Sequence, residues 1–249
     1  MSTLIESLPK TSNRILNALT RSEYECLASH LDHVNLSAGE ILYHPEQAIT
    51  HVYFPNRGIV SVVSILEDGS SVEVGMVGNE GMFGVSAFLG SVTTPQQAVV
   101  QLPGDALRMR VGALKREFDR GGQLQDLLLR YTQAFITQIA QTAACNNAHH
   151  IDGRLARWLL MCYDRSQSKE MEMTQEFIAY MLGTRRAGVT VAAGQLRQKG
   201  LISYNRGHLT VKDRAGLEEK SCECYEIVKR EFARLVGGNG HAVRSVDSY

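Results

Sequence analysis

At 249 residues, with 44% hydrophobic and 21% charged side chains, 5 Pro and 22 Gly, the chain has room for two domains of ordinary size and lies outside the collagenous, low-complexity and disordered classes. It holds no apolar run near the ~20 residues that span a bilayer, and its start lacks a basic stretch followed by an apolar core, so no membrane partner is expected and the location is read as cytoplasmic. The formal charge of zero is unevenly spread, with 10 Lys+Arg against 14 Asp+Glu over residues 1–150 and 15 against 11 over 151–235, which directs a search for a polyanionic partner to the C-terminal part.

Taken in chain order, residues 11–33 show helical spacing through Ile15, Leu16, Leu19, Cys26, Leu27 and Leu31, predicting a helical lead-in. From Val34 to about Val111 the signal changes to short apolar runs (40–43, 50–54, 58–66, 71–77 and 98–102) separated by turn residues, with Asp68-Gly69 marking a hairpin. Strands so closely spaced suggest a sandwich or barrel. After Gly121-Gly122, the positions Leu124, Leu128, Tyr131, Phe135, Gln138, Thr142 and Cys145 alternate steps of four and three. This 3.5-residue period is that of a coiled-coil seam and predicts a dimer contact, although a helix packed on its own sheet produces the same spacing. Residues 151–163 read as a further helix with Trp158 in the core, and 237–249 as a frayed tail.

Five cysteines, Cys26, Cys145, Cys162, Cys222 and Cys224, form an odd set without a C-x-x-C pair, arguing against a disulfide framework and a zinc knuckle. Cys222 and Cys224 fall at the start of an amphipathic stretch whose helical geometry points their sulfurs apart. No metal ligand set is expected.

Residues 174–202 carry the strongest functional signal. Thr174 is placed to cap a helix with Glu176 in its first turn; Phe177, Ile178 and Met181 form an apolar face; Gly183 ends it. Thr184 is placed to cap a second helix, 184–199, with Val189, Ala193 and Leu196 on its buried stripe and Gly200 after it. Two short helices joined by a tight glycine turn form a helix-turn-helix pattern. Arg185 and Arg186 occupy the positive end of the second helix, where each cation costs roughly 0.3–1 kcal/mol, and Gly188 and Gly194 each cost about 1 kcal/mol relative to alanine. That combination makes sense on a face that meets phosphates and base edges. Two short strands around Asn205-Arg206-Gly207-His208 read as a wing, where Arg206, His208 and Lys212 are candidates for phosphate contact.

A β-rich domain, a long helix and a winged helix-turn-helix in this order resemble the Crp/Fnr family of bacterial transcription regulators. The residues that carry the resemblance are Ala38-Gly39-Glu40-Ile41-Leu42, Gly58-Ile-Val-Ser-Val, Gly81-Met-Phe-Gly84, Leu182 to Val189, and Gly200-Leu201-Ile202. The resemblance implies an α+β chain: a lead-in (1–20), a double-stranded β-helix (jelly-roll) sensory domain of the cyclic nucleotide-binding type (21–120), a dimerisation helix (121–150), a winged helix-turn-helix (151–236) and the tail (237–249). It further implies a homodimer on a palindromic duplex, RNA polymerase as a partner, and no enzymatic activity. The DNA-contact set is then Thr174, Gln175, Thr184, Arg185, Arg186, Gly188, Thr190, Val191, Arg206 and His208, and the effector pocket Gly81, Met82, Phe83, Gly84, Val85, Ser86, Gln97 and Ala98. The seam is Leu124, Leu128, Tyr131, Phe135, Gln138 and Thr142.

Two departures qualify the resemblance. The reading helix of the family presents an Arg-Glu pair and a further Arg, but here Ala187 and Val191 replace the last two, which changes the expected half-site. In the sensory domain, Phe83-Gly84 is followed by Val85 instead of a ribose-binding Glu, and 93–98 holds no arginine for a cyclic phosphate. No cofactor is expected and a cyclic nucleotide is disfavoured, leaving an effector of unknown identity or none. Two other readings stay open: a ligand-gated module whose winged helix binds protein instead of DNA, and a cupin-like metal enzyme, for which the spacing of His30, His33, His44 and His51 is unsuited.

Overall fold

Asn13 caps a single turn, α1 (Arg14–Asn17), and Thr20 and Glu23 form a reciprocal capping box at the start of α2 (Arg21–Ala28). The computed structural model describes residues 11–166 and 168–237; the remaining positions of the lead-in and nearly all of the expected tail lie outside them. The helical spacing over 11–33 thus resolves into two helices broken at Ala18–Thr20, and the chain is already extended at β1 (Asp32–Leu36).

β1, β2 (Ile41–Tyr43), β3 (His51–Ile65), β4 (Ser71–Val77) and β5 (Gln97–Arg110) form an antiparallel sheet of order β1-β5-β3-β4, with β2 also paired to β5. The runs expected at 50–54 and 58–66 are one long strand, bulged around Asn56–Gly58. The bulge depends on glycine: at Gly58, where φ is +87°, a Cβ would come 2.6 Å from the Leu102 carbonyl oxygen, and at Gly104 a Cβ would come 2.1 Å from that of Arg57. Backbones this close bend the two long strands together and curl the sheet. Leu66 and Ser70 close the β3–β4 hairpin around Asp68-Gly69 as predicted.

A short turn, α3 (Ser86–Leu89), precedes β5, and α4 (Val111–Asp119) leads into the long α5 (Gln123–Ala148). All six residues of the predicted seam, Leu124, Leu128, Tyr131, Phe135, Gln138 and Thr142, and Cys145, which continues their period, are buried within the protomer. The Tyr131 ring covers Gly81, Phe135 covers Gly75, and the Gln138 side-chain amide donates to the Met76 carbonyl at 3.0 Å. Assigning these residues to a dimer seam is therefore wrong: the period identifies an apolar face, and its partner is the chain's own sheet and C-terminal helix. A second stripe on α5, Leu129, Gln133, Ile136, Ala140 and Ala143, points outward, with Leu129 46% and Ile136 53% exposed.

His149 ends α5, and α6 (Ile151–Ser166) packs against β3 of the sheet. Trp158 is buried as expected, and its indole N–H donates to Glu73 Oε1 at 2.9 Å. A strand not anticipated, β6 (Glu170–Glu172), pairs with β8 (His208–Val211), which pairs with β7 (Ile202–Asn205). Between β6 and β7 stand α7 (Gln175–Leu182) and α8 (Arg186–Gln198). After β8 come α9 (Arg214–Lys220) and α10 (Cys224–Val236), the latter packed along α5. Cys222 precedes α10 instead of lying on it, so the helical geometry assumed for the C-x-C spacing does not apply.

Candidate nucleic-acid interface

Thr174 caps α7 by accepting from the Phe177 N–H at 3.1 Å, and Gly183, in the left-handed conformation at φ +56°, ends it. Val189, Ala192, Ala193 and Leu196 bury one stripe of α8. Thr184 is not its cap: the helix starts one residue later, Arg185 is the N-cap residue, and no side chain closes the first turn. That end therefore presents unpaired backbone N–H groups beside Arg185 and Arg186.

The outward face of α8 carries Arg186, Ala187, Thr190 and Val191, all exposed, Val191 at 61%. Thr190 Oγ1 lies 2.7 Å from Gln175 Oε1, tying the two helices, and Glu176 stands 3.9 Å from the Arg186 guanidinium. Glu176, read from the sequence only as a first-turn acid, thus stands beside an arginine of the exposed face. A Cβ at Gly188 would meet only Thr184 Oγ1, at 3.6 Å, and one at Gly194 would meet nothing within 4 Å, so neither glycine is required by the protein's own packing.

Arg206 and Gly207 both have positive φ, 48° and 87°, the pattern of a tight type I′ hairpin joining β7 and β8. Arg206 stands exposed at its tip. His208 is half engaged by Glu172, 3.6 Å from its ring. Thr174, Gln175, Thr184 to Gly188, Thr190, Val191 and Arg206 all belong to the helix-turn-helix and its wing.

The turn between α7 and α8 rests on the sensory sheet. Ser71 Oγ donates to the Tyr180 carbonyl at 3.3 Å, and a Cβ at Gly183 would come 3.0 Å from that of Val72. A groove of about 1000 Å³ separates Arg185 and Gly188 from Leu66 and Ser70 of the β3–β4 hairpin.

In the sensory domain a cavity of about 300 Å³ lies between the sheet, the 82–86 turn and α5. Met82, Phe83, Gly84, Val85 and Ser86 line it as expected. Gly81, Gln97 and Ala98 do not: Gly81 is covered by Tyr131, Ala98 is fully buried, and Thr94 and Gln96 take the place expected for Gln97. Its other walls are mostly apolar, Ile49, Val62, Val74, Phe135, Ile136 and Ile139 among them, with the hydroxyls of Ser64 and Thr132, and among the described residues no charged side chain lines it. Tyr43, missed in the sequence because it lies in the short β2, is 3% exposed and its hydroxyl has no hydrogen-bond partner among the described residues. Burial raises this phenol far above its ordinary range, so it is a neutral donor facing the cavity.

Known domains match both halves: a cyclic nucleotide-binding domain over residues 33–120 and a Crp-like helix-turn-helix domain over 153–220. The global nitrogen regulator of Nostoc sp. is 24% identical over 179 residues, covering 68% of this chain and 80% of that protein, and that of Synechococcus elongatus is 21% identical over 191 residues, covering 73% and 86%. The fold is shared with FixK2 from Bradyrhizobium japonicum (TM-score 0.66, 17% identity, 77% of this chain and 98% of that one). It is also shared with a CRP-family transcriptional regulator from Thermus thermophilus (TM-score 0.61, 20% identity, 76% and 96%). The two matched domains, their order and their fold make this chain a member of the Crp/Fnr family of DNA-binding transcription regulators. Among the described residues no helix is long and apolar enough to cross a membrane.

Proposed function

We propose that the protein acts as a homodimer on an inverted-repeat duplex, each protomer inserting α8 into one major groove. The observation that carries this reading is the N-terminal half of α8: two arginines beside unpaired N–H groups, an exposed Val191, and a glycine, Gly188, that packing does not require. Arg186, beside Glu176, is assigned to a guanine edge; Val191 suits a thymine methyl; Arg185 and Arg206 suit phosphates. The dimer contact is assigned to the outward stripe of α5 centred on Leu129 and Ile136, which replaces the buried seam. RNA polymerase is the further partner that membership of the family suggests.

The cavity is assigned to an uncharged effector with an apolar body and one acceptor for the Tyr43 hydroxyl. A cyclic phosphate has no cation to meet there, and burying it unpaired is costly. Ile136 both lines the cavity and lies on the outward stripe, so an occupant changes the surface on which two protomers meet. The contact of Ser71 and Val72 with the α7–α8 turn gives the sensory sheet a direct hold on the reading motif.

Arg186→Ala is expected to weaken binding by roughly 1–3 kcal/mol and to relax selection at one base position, measured by titrating duplexes varied base by base. Equal weakening on every sequence would move Arg186 to a phosphate.

A further inference from the structure

At the joint between α5 and α6, three of the five cysteines meet a histidine. Cys145 lies in the last turn of α5, His149 ends that helix, Cys222 lies in the link after α9, and Cys224 opens α10. One donor atom from each falls within 4.8 Å of all the others. Cys145 Sγ is 3.4 Å from Cys222 Sγ, and Cys224 Sγ is 3.5 Å from His149 Nδ1. A tetrahedral zinc site has Zn–S bonds of about 2.3 Å and Zn–N bonds of about 2.0–2.1 Å, which set its edges at about 3.5–3.8 Å. Two of the donor pairs already stand near those separations and the others lie within 4.8 Å, too close together to surround a cluster of several irons.

The surroundings are those of a metal ligand set. The outer nitrogen of His149, Nε2, lies 3.3 Å from Glu223 Oε1, the carboxylate–imidazole arrangement that fixes the tautomer and strengthens a coordinating ring. The Gln141 side-chain amide donates to Cys224 Sγ at 3.1 Å, a bond that stabilises a thiolate. Arg154 and Arg157 lie within electrostatic reach of Cys145, and three thiolates with one divalent ion leave a single negative charge for them to balance. Cys145 and Cys224 are buried, whereas Cys26, outside the cluster, is exposed.

We infer that Cys145, His149 Nδ1, Cys222 and Cys224 form a binding site for one Zn²⁺ ion. Binding displaces three thiol protons to solvent and leaves histidine neutral. All four positions of a tetrahedron are filled by protein, which makes the ion structural. The two pairs come from segments more than 70 residues apart. The ion clamps the end of α5 to the start of α10 and fixes the angle at which the DNA-reading domain leaves α5.

The test uses the full chain, purified reduced and without chelator. Elemental analysis is expected to give one Zn²⁺ per chain, and replacement by Co²⁺ to give the visible spectrum of a tetrahedral thiolate site. Cys224→Ser and His149→Ala should each weaken Zn²⁺ binding by more than about ten-fold, Glu223→Gln by about ten-fold, and Cys26→Ser not at all. Where a cysteine variant does not fold, alkylation of the unmodified chain decides: Cys145, Cys222 and Cys224 should be protected until a chelator is added, while Cys26 reacts at once. A folded, reduced protein that retains no Zn²⁺ and takes up no Co²⁺ would overturn the proposal. So would uptake unaffected by Cys224→Ser, or a Cys145–Cys222 disulfide in the protein as isolated.

Discussion

Arg165→Ala should lower the unfolding free energy by about 3–5 kcal/mol, the range for removing one partner of a buried ion pair. Arg165 and Glu80 are 9% and 7% exposed at their side chains and meet at 2.7 Å. The same guanidinium donates to Gln138 Oε1 at 3.1 Å and to the Met161 carbonyl at 3.2 Å, and lies 5.6 Å from the Phe232 ring centre. One side chain thus ties together the sensory loop, α5, α6 and α10. Alanine leaves the Glu80 carboxylate buried without its cation, and the loss arises there more than in the attraction itself. Pairing Arg165→Met with Glu80→Gln should recover most of the stability. Denaturant unfolding checks both, and a loss below about 1 kcal/mol in the single variant would mean that water or another donor takes the place of the guanidinium at Glu80.

Glu73→Gln should flatten the pH dependence of stability and make the protein more stable than its parent above pH 7. Glu73 is fully buried between β4 and α6, and burial raises its carboxyl to about 7, against the opposing hydrogen bonds of Ser61 and Trp158 and the charges of Arg157 and Arg165. The hydrogen bonds agree with a protonated acid. Ser61 Oγ is 2.5 Å from Glu73 Oε2 and 2.6 Å from Gln101 Oε1, and its single proton serves only one of them. With Glu73 protonated, the acid donates to Ser61, Ser61 donates to Gln101, and the Gln101 amide donates to Cys162 Sγ at 2.9 Å. In the unfolded chain the carboxyl titrates near 4.5. The folded state therefore holds more protons between about pH 4.5 and 7, and stability falls as pH rises through that window. The deficit above it is roughly 2–4 kcal/mol. Glutamine reproduces the protonated pattern and does not ionise, so melting scans at pH 5 and pH 8 should separate for the parent and coincide more closely for the variant. Equal slopes in the two proteins would show that Glu73 stays ionised.

The reading motif was legible because its signals are local. Thr174 as a cap, Gly183 in a left-handed turn and the Val189–Ala193–Leu196 stripe each act within a few residues, and so does the Arg206-Gly207 hairpin. The predicted cap at Thr184 is one residue too early: the Thr184 N–H is still bonded back to the Ala179 carbonyl in the turn that ends α7, and the extended residue that opens α8 is Arg185. On α5 the sequence periodicity marked the right face and the wrong partner, since an apolar stripe satisfies its own sheet as well as a second protomer. β1 and β6 are short and rich in polar residues, and edge positions like these leave little alternation to detect. The cysteine cluster was invisible for a different reason. Cys145 and Cys222 are brought together only when α10 folds back along α5, and the spacing of Cys222 and Cys224 misleads if both are placed on a helix.

Selection of bound duplexes from a random DNA pool by the purified protein, with and without cyclic AMP, tests the central claim most directly. Enrichment of an inverted repeat whose half-sites are centred about 10–10.5 base pairs apart, unchanged by cyclic AMP, is the predicted result. Retention without sequence preference would contradict the assignment of α8 to base reading, and enrichment that appears only with cyclic AMP would contradict the assignment of the uncharged cavity.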